Sequence, residues 1–413
     1  MADPHSVSTS SHPAWYRYLI LVIGFATLAG ASGVTNAFQV FYSALLDVFD
    51  WSHEGGARVY SVNQLVVSVS SLLMGWLLDR FGPRWLYTAA ACMIGLAFLA
   101  CSRLQSLVEF GVFYGVVSAL GQAALLSMTV VVARWFAHDQ RGRAIGLADV
   151  GTGFGMVAFV PGSAWLIEGL GWRQAFSVVG AVILVVLVPL NLLHRQPPVV
   201  DTSTPPPGSL RDVAQSKALW TLCVAHLFMT ITMTMVNVHL VEFLVRGSVL
   251  PFFKASMIAG GLSLVSLPGR VFFGWLADRV QPNRAFSMAM SCTMLGFAML
   301  LLLAQSDLRW PLAAFVVIYG FAQGAGGIAV ATKTVALFQG PYLGRIFMVV
   351  NLSATIGAAF GGWFGGWLFD YSGSYTLTFV TAIVSGACAI GWMWTGGPVS
   401  TPANIVSQRS VAR

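Results

Sequence analysis

Charge is the scarcest commodity in this chain: of 413 residues only 9% are Asp, Glu, Lys or Arg, and 15 are acidic. A soluble domain carries about 25% charged residues, so a water-facing globular surface is excluded. Cysteine is also sparse. Cys92, Cys101, Cys223, Cys292 and Cys388 sit in or beside apolar runs, without the paired spacing that holds zinc or a disulfide framework, and read as small buried hydrophobes. A Walker-type phosphate loop, a His/Asp metal cluster and a nucleophile motif are all missing. The chain is therefore expected to be no enzyme, to hold no cofactor or metal, and to lack direct ATP drive. Its glycine pairs Gly361-Gly362 and Gly365-Gly366 read as close helix packing and not as nucleotide cradles.

What the chain does have is apolar surface: 57% of residues are hydrophobic, with a mean hydropathy of +0.76. Runs of about 20 apolar residues, each long enough to cross roughly 30 Å of hydrocarbon as a helix, recur throughout. Twelve spans are expected, at 18–45, 58–78, 85–103, 107–133, 143–168, 174–193, 218–245, 255–277, 285–304, 310–336, 345–369 and 375–395. The runs are continuous, which favours helices over the alternating pattern of a membrane barrel. The first resembles a signal peptide, with Ala29 to Gly33 behind it, but the internal repeat requires it as a helix.

The formal net charge of +7 is explained by topology without a nucleic-acid partner. With the N-terminus inside, 14 of the 22 cations fall on the cytoplasmic side, among them Arg17, Arg80, Arg84, Arg134, Arg141 and Arg143. Six fall outside (Arg58, Arg103, Arg173, Arg246, Lys254 and Arg309), while Arg270 and Lys333 lie within spans. That bias is expected to place both termini of a multi-pass membrane protein in the cytoplasm. Lys333, far along span ten, is expected to snorkel to the cytoplasmic surface.

Internal repetition organises the chain. Gly75-Trp76-Leu77-Leu78-Asp79-Arg80 reappears as Gly274-Trp275-Leu276-Ala277-Asp278-Arg279, an offset of 199. Tyr114-Gly115 with Gly121 recurs as Tyr319-Gly320 with Gly326, offset 205, and Gly142-Arg143 as Gly344-Arg345, offset 202. The expected units are a tail (1–17), a six-helix bundle (18–193), a cytoplasmic linker (194–216), a second bundle (217–395) and a tail (396–413). The linker carries Pro197-Pro198 and Pro205-Pro206-Pro207, which no spanning helix would tolerate. Two bundles related about the membrane normal suit alternating access around a central site.

The run Gly75-x-x-x-Asp79-Arg80-Phe81-Gly82-Pro83-Arg84, with its degenerate copy from Gly274 to Arg284, resembles the signature loop of the major facilitator superfamily. The resemblance covers essentially the whole chain. It implies an all-α membrane protein with twelve transmembrane helices in two six-helix pseudo-symmetric bundles. Gly75, Gly82 and Gly274 would let helix ends approach, while Asp79, Arg80, Arg84, Asp278 and Arg279 would form a conformational latch or simply mark topology.

A closer resemblance is to bacterial relatives of monocarboxylate transporters and oxalate–formate exchangers. It rests on Asn36-Ala37-Phe38-Gln39-Val40-Phe41 with Asp50-Trp51-Ser52, on Arg134-Trp135-Phe136 through Arg143-Ala144-x-Gly146, and on Gly171-Trp172-Arg173, Val238-His239-Leu240 and Gly269-Arg270. The group includes carriers of monocarboxylates, dicarboxylates and bulkier anions. Animal monocarboxylate transporters have a helix-one lysine where Asn36 stands, and an aspartate one turn before the helix-eight arginine where Ser266 stands. A different anion or coupling step is therefore open.

Arg270 lies eight positions before Asp278, roughly 12 Å into the membrane at about 1.5 Å per residue. A guanidinium at such depth costs at least about 2.5–3.5 kcal/mol and needs an anion or water. The acidic residues map to loops and helix ends, none as an evident counter-ion, which leaves a substrate carboxylate as the expected partner; a structural contact to Asp149 is the alternative. Further candidates for substrate contact or interhelical bonding are Asn36, Gln39, Tyr114, Gln122, Asn237, Tyr319, Gln323 and Asn351, with Asn63 and Gln64 in span two. His239 and His226 are candidate proton carriers, because histidine changes charge between about pH 5 and 8.

The expected function is a monomeric secondary transporter, symporter or antiporter, for a small organic anion such as a monocarboxylate. A carrier of a neutral or bulkier solute, a riboflavin-like vitamin or a drug, is the second reading. A non-transporting solute receptor is the third, disfavoured by short tails and linker.

Overall fold

The computed structural model describes residues 15–125, 127–128, 131–132, 135–136, 141–195, 216–246, 250–305, 308–338 and 343–395. Among them all regular structure is helical. The expected linker between the halves and both tails fall almost wholly outside these residues.

The first half holds α1 (Tyr16–Phe49), α2 (residues 53–81), α3 (residues 83–101), α4 (Leu107–Leu125), α5 (Arg141–Leu170) and α6 (Trp172–Leu192). The second half holds α7 (Lys217–Asn237, continuing as Leu240–Arg246), α8 (Phe252–Arg279), α9 (Pro282–Gln305), α10 (Trp310–Ala322 and Ala325–Leu337), α11 (Leu343–Ser372) and α12 (Thr376–Thr395). Among the described residues, ten helical stretches meet the length and apolarity needed to cross a membrane. Outward-facing Val69, Val185, Val271, Val317 and Val384 leave an apolar exterior suited to lipid.

Local chemistry sets the helix ends. Asp50 closes α1 in the left-handed region at φ 51°. Ser52 then caps α2 by accepting a hydrogen bond from the Gly55 amide at 3.0 Å. Gly82, at φ 74° and ψ 166°, separates α2 from α3, a conformation that a side chain would strain. The signature motif therefore puts its glycine where the chain must turn.

Packing repeats between halves as the sequence does. A methyl carbon at Gly151 or Gly155 of α5 would lie 2.3 or 2.1 Å from the carbonyl oxygens of Phe25 and Ala29 on α1. At Gly357 or Gly361 of α11 it would meet the Leu227 and Ile231 carbonyls of α7 at 2.4 and 2.7 Å. Glycine thus permits the same main-chain approach twice. One apolar core fills the first half around Phe38, Phe41, Phe98 and Phe176, and another lies wholly in the second around Phe273 and Phe286. A third joins Val40, Met156 and Val160 to Val236, Leu240 and Phe297 across the seam. The halves meet chiefly where α5 packs on α8 and α2 on α11.

Lys333 does not snorkel. It is 1% exposed and donates to the Met393 carbonyl at 2.6 Å, capping the last turn of α12. A carbonyl left free at a helix C-terminus is a better partner for a buried ammonium than a distant surface.

Candidate functional site

Arg270 reaches the seam from α8. Its side chain is 36% exposed, and Nη1 lies 3.8 Å from Asp149 Oδ2 on α5, itself 49% exposed. The contact to Asp149, expected as the alternative to a substrate carboxylate, is thus present, with a partner 121 residues away and in the other half. The contact is long, and a half-exposed pair of this kind is worth little. Arg270 Nε stays buried without a hydrogen-bond partner.

The floor beneath the guanidinium is a break in α10. Gln323 leaves helical geometry at ψ 122°, and Gly324 turns left-handed at φ 83° before the helix resumes at Ala325. A Cβ on Gly324 would stand 3.1 Å from Arg270 Nε and 3.4 Å from Cζ. The resumed helix opens with amide N–H groups that have no partner within it. A guanidinium and a helix N-terminus thus converge on one place, and both favour an anion. Gln323 adds a buried amide oxygen with no partner.

The other sequence candidates are distributed through the bundles. Asn36 is half-buried and donates to the Ser32 carbonyl at 2.9 Å and its hydroxyl at 3.2 Å. Gln39 is 4% exposed, with Oε1 unpartnered. Gln122 donates to Ser118 Oγ at 2.8 Å and accepts from Thr35 at 2.7 Å. The repeat-equivalent Tyr114 and Tyr319 are buried, donating to the Val34 carbonyl at 3.3 Å and to Asn237 Oδ1 at 2.6 Å. Asn63 donates to the Tyr114 carbonyl at 2.9 Å, inside a stretch where α4 widens to π geometry and frees carbonyls from the usual ladder. Gln64 donates to the Tyr60 hydroxyl at 3.1 Å, and Asn351 is exposed on α11.

His226 Nδ1 faces the Val350 carbonyl at 3.1 Å. His239 is fully buried, with Nε2 3.0 Å from the Gly362 carbonyl and Nδ1 3.2 Å from the Tyr42 hydroxyl. Of the candidate latch, Arg80, Arg84 and Arg279 lie over the rings of Trp76, Trp85 and Trp275 at 5.3, 5.4 and 4.9 Å. A methyl group at Gly274 would meet nothing within 4 Å. The surroundings of Gly75 and the side chains of Asp79 and Asp278 lie outside what the structure describes.

A second polar cluster, missed by sequence reasoning, lies at the end of the bundle away from the termini. Ser43 and Asp47 of α1 contact Glu242 and Arg246 of α7, and Arg246 also pairs with Glu242. Asp370 of α11 accepts from the backbone amides of His53 at 3.0 Å and Glu54 at 2.6 Å, capping α2. Trp363 donates its indole N–H to Glu54 at 2.9 Å. That bond, with the neighbouring Arg58, holds the Glu54 carboxyl below the usual carboxylate range. One signal was available: both α1–α7 contacts span 199 residues, the offset of the repeated motif.

Comparison with known proteins agrees with this architecture. The chain is similar to monocarboxylate transporter 13 of Rattus norvegicus, 28% identical over 378 residues, covering 89% of this chain and 86% of that one. The Bos taurus protein of the same name is 28% identical over 419 residues, covering 95% and 94%. Among solved structures, a bacterial homolog of the human lysosomal transporter Spinster superposes with a TM-score of 0.78 at 16% identity, covering 93% of this chain and 97% of that one. The nucleoside transporter NupG gives 0.75 at 12% identity, covering 92% and 99%. The sequence profile of the Major Facilitator Superfamily matches residues 20–362. With the doubled helix packing and two-bundle seam described above, that match makes this chain a membrane transporter of the Major Facilitator Superfamily.

Proposed function

We propose that this protein is a secondary transporter of a small organic anion, a monocarboxylate in the first instance, working by alternating access with proton coupling or exchange. All twelve helices cross a bacterial inner membrane in this reading, with both termini cytoplasmic and the protein active as a monomer. The end that carries the Asp47–Arg246 pair is then the outer mouth, and Arg270 faces the pathway from the cytoplasmic side.

The observation that carries the reading is Arg270: a half-exposed guanidinium at the seam, its Nε unpartnered, seated on the broken turn of α10. A carboxylate there would take bidentate hydrogen bonds from Arg270 and the field of the α10 half-helix. Gln323, with the sequence candidates Asn36, Gln39 and Asn351, would supply shape and polar contacts. The names of the mammalian relatives point to the same substrate class.

The 3.8 Å contact to Asp149 supports a second reading, in which Arg270 latches the halves and the solute is neutral or bulkier. Uptake of radiolabelled carboxylates into proteoliposomes separates the two. The anion reading expects Arg270→Gln to abolish carboxylate uptake while a neutral solute remains untransported by either protein. Full carboxylate uptake by Arg270→Gln overturns it.

A further inference from the structure

His53 is the first residue of α2 and stands between two carboxylates from the opposite half. Asp370 Oδ1 lies 3.2 Å from ring Nδ1 and also accepts the His53 backbone amide. An ionised carboxylate only accepts hydrogen bonds, so Nδ1 carries a proton. The other ring nitrogen, Nε2, is buried without a hydrogen-bond partner and lies 3.5 Å from Glu242 Oε1. In a neutral imidazole with Nδ1 protonated, Nε2 presents a lone pair to that carboxylate oxygen. Two lone pairs face each other unless one more proton lies between them.

The rest of the junction does not supply that proton. Arg246 is committed to Asp47 and Glu242, and Arg58 to Glu54. Four carboxylates thus meet two guanidinium groups, and the remaining neighbours of His53 are the rings of Phe369 and Tyr375 and the Tyr42 hydroxyl. His239, the other histidine at this junction, has a neighbour for each ring nitrogen: with Nε2 protonated it donates to Gly362, and Nδ1 faces the Tyr42 hydroxyl. Glu54, held below the usual carboxylate range by Trp363 and Arg58, stays ionised at mildly acidic pH.

We propose that His53 and Glu242, with Asp370 orienting the ring, form a proton-binding site whose occupancy joins the two halves at this end of the bundle. Proton, ring and carboxylates come together only when α2 meets α7 and α11. Separation of the halves would strip the proton of its two acceptors and release it. By reciprocity, a site that binds a proton more tightly when closed is closed by protons. This assigns the coupling ion of the proposed transport cycle and rests on alternating access, but not on the role given to Arg270.

The test is the distance between spin labels on Gln105→Cys and Leu308→Cys, exposed positions in opposite halves at this end, with the five native cysteines replaced by alanine and the protein in nanodiscs. Between about pH 8.5 and pH 5.5, a range that brackets histidine titration, the short-distance population should rise about threefold or more. Glu242→Gln should abolish the step, because its amide can donate to a neutral Nε2 and satisfy the pair without a proton. His53→Gln should abolish it too, by removing the ring that would hold the proton, and serves if Glu242→Gln does not fold. An unchanged population across this range overturns the proposal, as does a full step in either variant. Arg270→Gln should keep the step; loss of carboxylate uptake in that variant bears on the anion reading alone, so the two failures are distinguishable.

Discussion

Asp47 and Arg246 pair across the two halves with the separation, 199 residues, that also relates the two copies of the Gly-Trp-Leu motif. Ser43 and Glu242 do the same one turn earlier. Equivalent turns of α1 and α7 therefore face each other about the pseudo-symmetry axis, one offering a hydroxyl and a carboxylate, the other a carboxylate and a guanidinium. Glu242 is 1% exposed and has Arg246 as its guanidinium partner.

Removal of that cation should be costly. Arg246→Ala leaves Glu242 a buried charge with no guanidinium, a change worth about 3–5 kcal/mol. Asp47→Ala loses only the exposed arm, worth about 1 kcal/mol or less. Thermal unfolding in detergent should show a clear drop in midpoint for the first and almost none for the second. Equal drops would mean that the exposed arm carries the pair.

Asp149→Asn separates an anchor from a latch. If Arg270 awaits a substrate carboxylate, removal of its half-exposed neighbour should preserve uptake and tighten carboxylate binding several-fold, because a competing charge is gone. Uptake as low as in Arg270→Gln would instead identify the Arg270–Asp149 contact as the working element. Isothermal titration with carboxylates, alongside proteoliposome uptake, reads both outcomes.

Gly324→Ala tests the seat of the guanidinium. The new methyl would stand 3.1 Å from Arg270 Nε, on a backbone at φ 83° that costs a residue with a side chain about 1–3 kcal/mol. Arg270 must shift by several tenths of an ångström, and carboxylate affinity should fall at least about tenfold, equivalent to roughly 1.4 kcal/mol. Affinity equal to that of the parent protein would exclude the α10 break from the site.

Helix packing gives a prediction independent of transport. Gly155→Val would drive side-chain atoms into the Ala29 carbonyl, 2.1 Å from the first of them, and should yield little monodisperse protein. Gly162→Ala, seven residues on in the same helix with nothing within 4 Å, should behave as the parent does. Size-exclusion profiles of the two variants decide it.

The apolar runs made most of the architecture legible, because hydrocarbon accepts only continuous helices or closed barrels and the runs lack alternation. The twofold repeat was legible because the Gly-Trp-Leu motif recurs at an offset of 199. The break in α10 was not: Gln323-Gly324-Ala325-Gly326-Gly327 carries no proline, and only the backbone shows Gly324 turning left-handed. Arg270 could be singled out by its depth, but Asp149 comes within reach only through the packing of α5 on α8. The junction around His53 was hidden by its position. Asp47, Glu54, Glu242 and Asp370 fall at span ends, where charges ordinarily meet water, and nothing local tells that opposing helix ends will bury them against one another.

The interlock of α1 with α5, repeated in α7 with α11, has a mechanical consequence. Carbonyl oxygens rest on glycine α-carbons with less than a methyl's width to spare, so neither helix can slide along its mate without collision. Each pair behaves as a stiff strut, and deformation is displaced to the joints that bind one half to the other. Those joints are made largely of side chains, several of them ionisable. A carrier assembled in this way would be expected to rock as two rigid levers, with its hinge chemistry set by protonation and solute and not by bending within either lever.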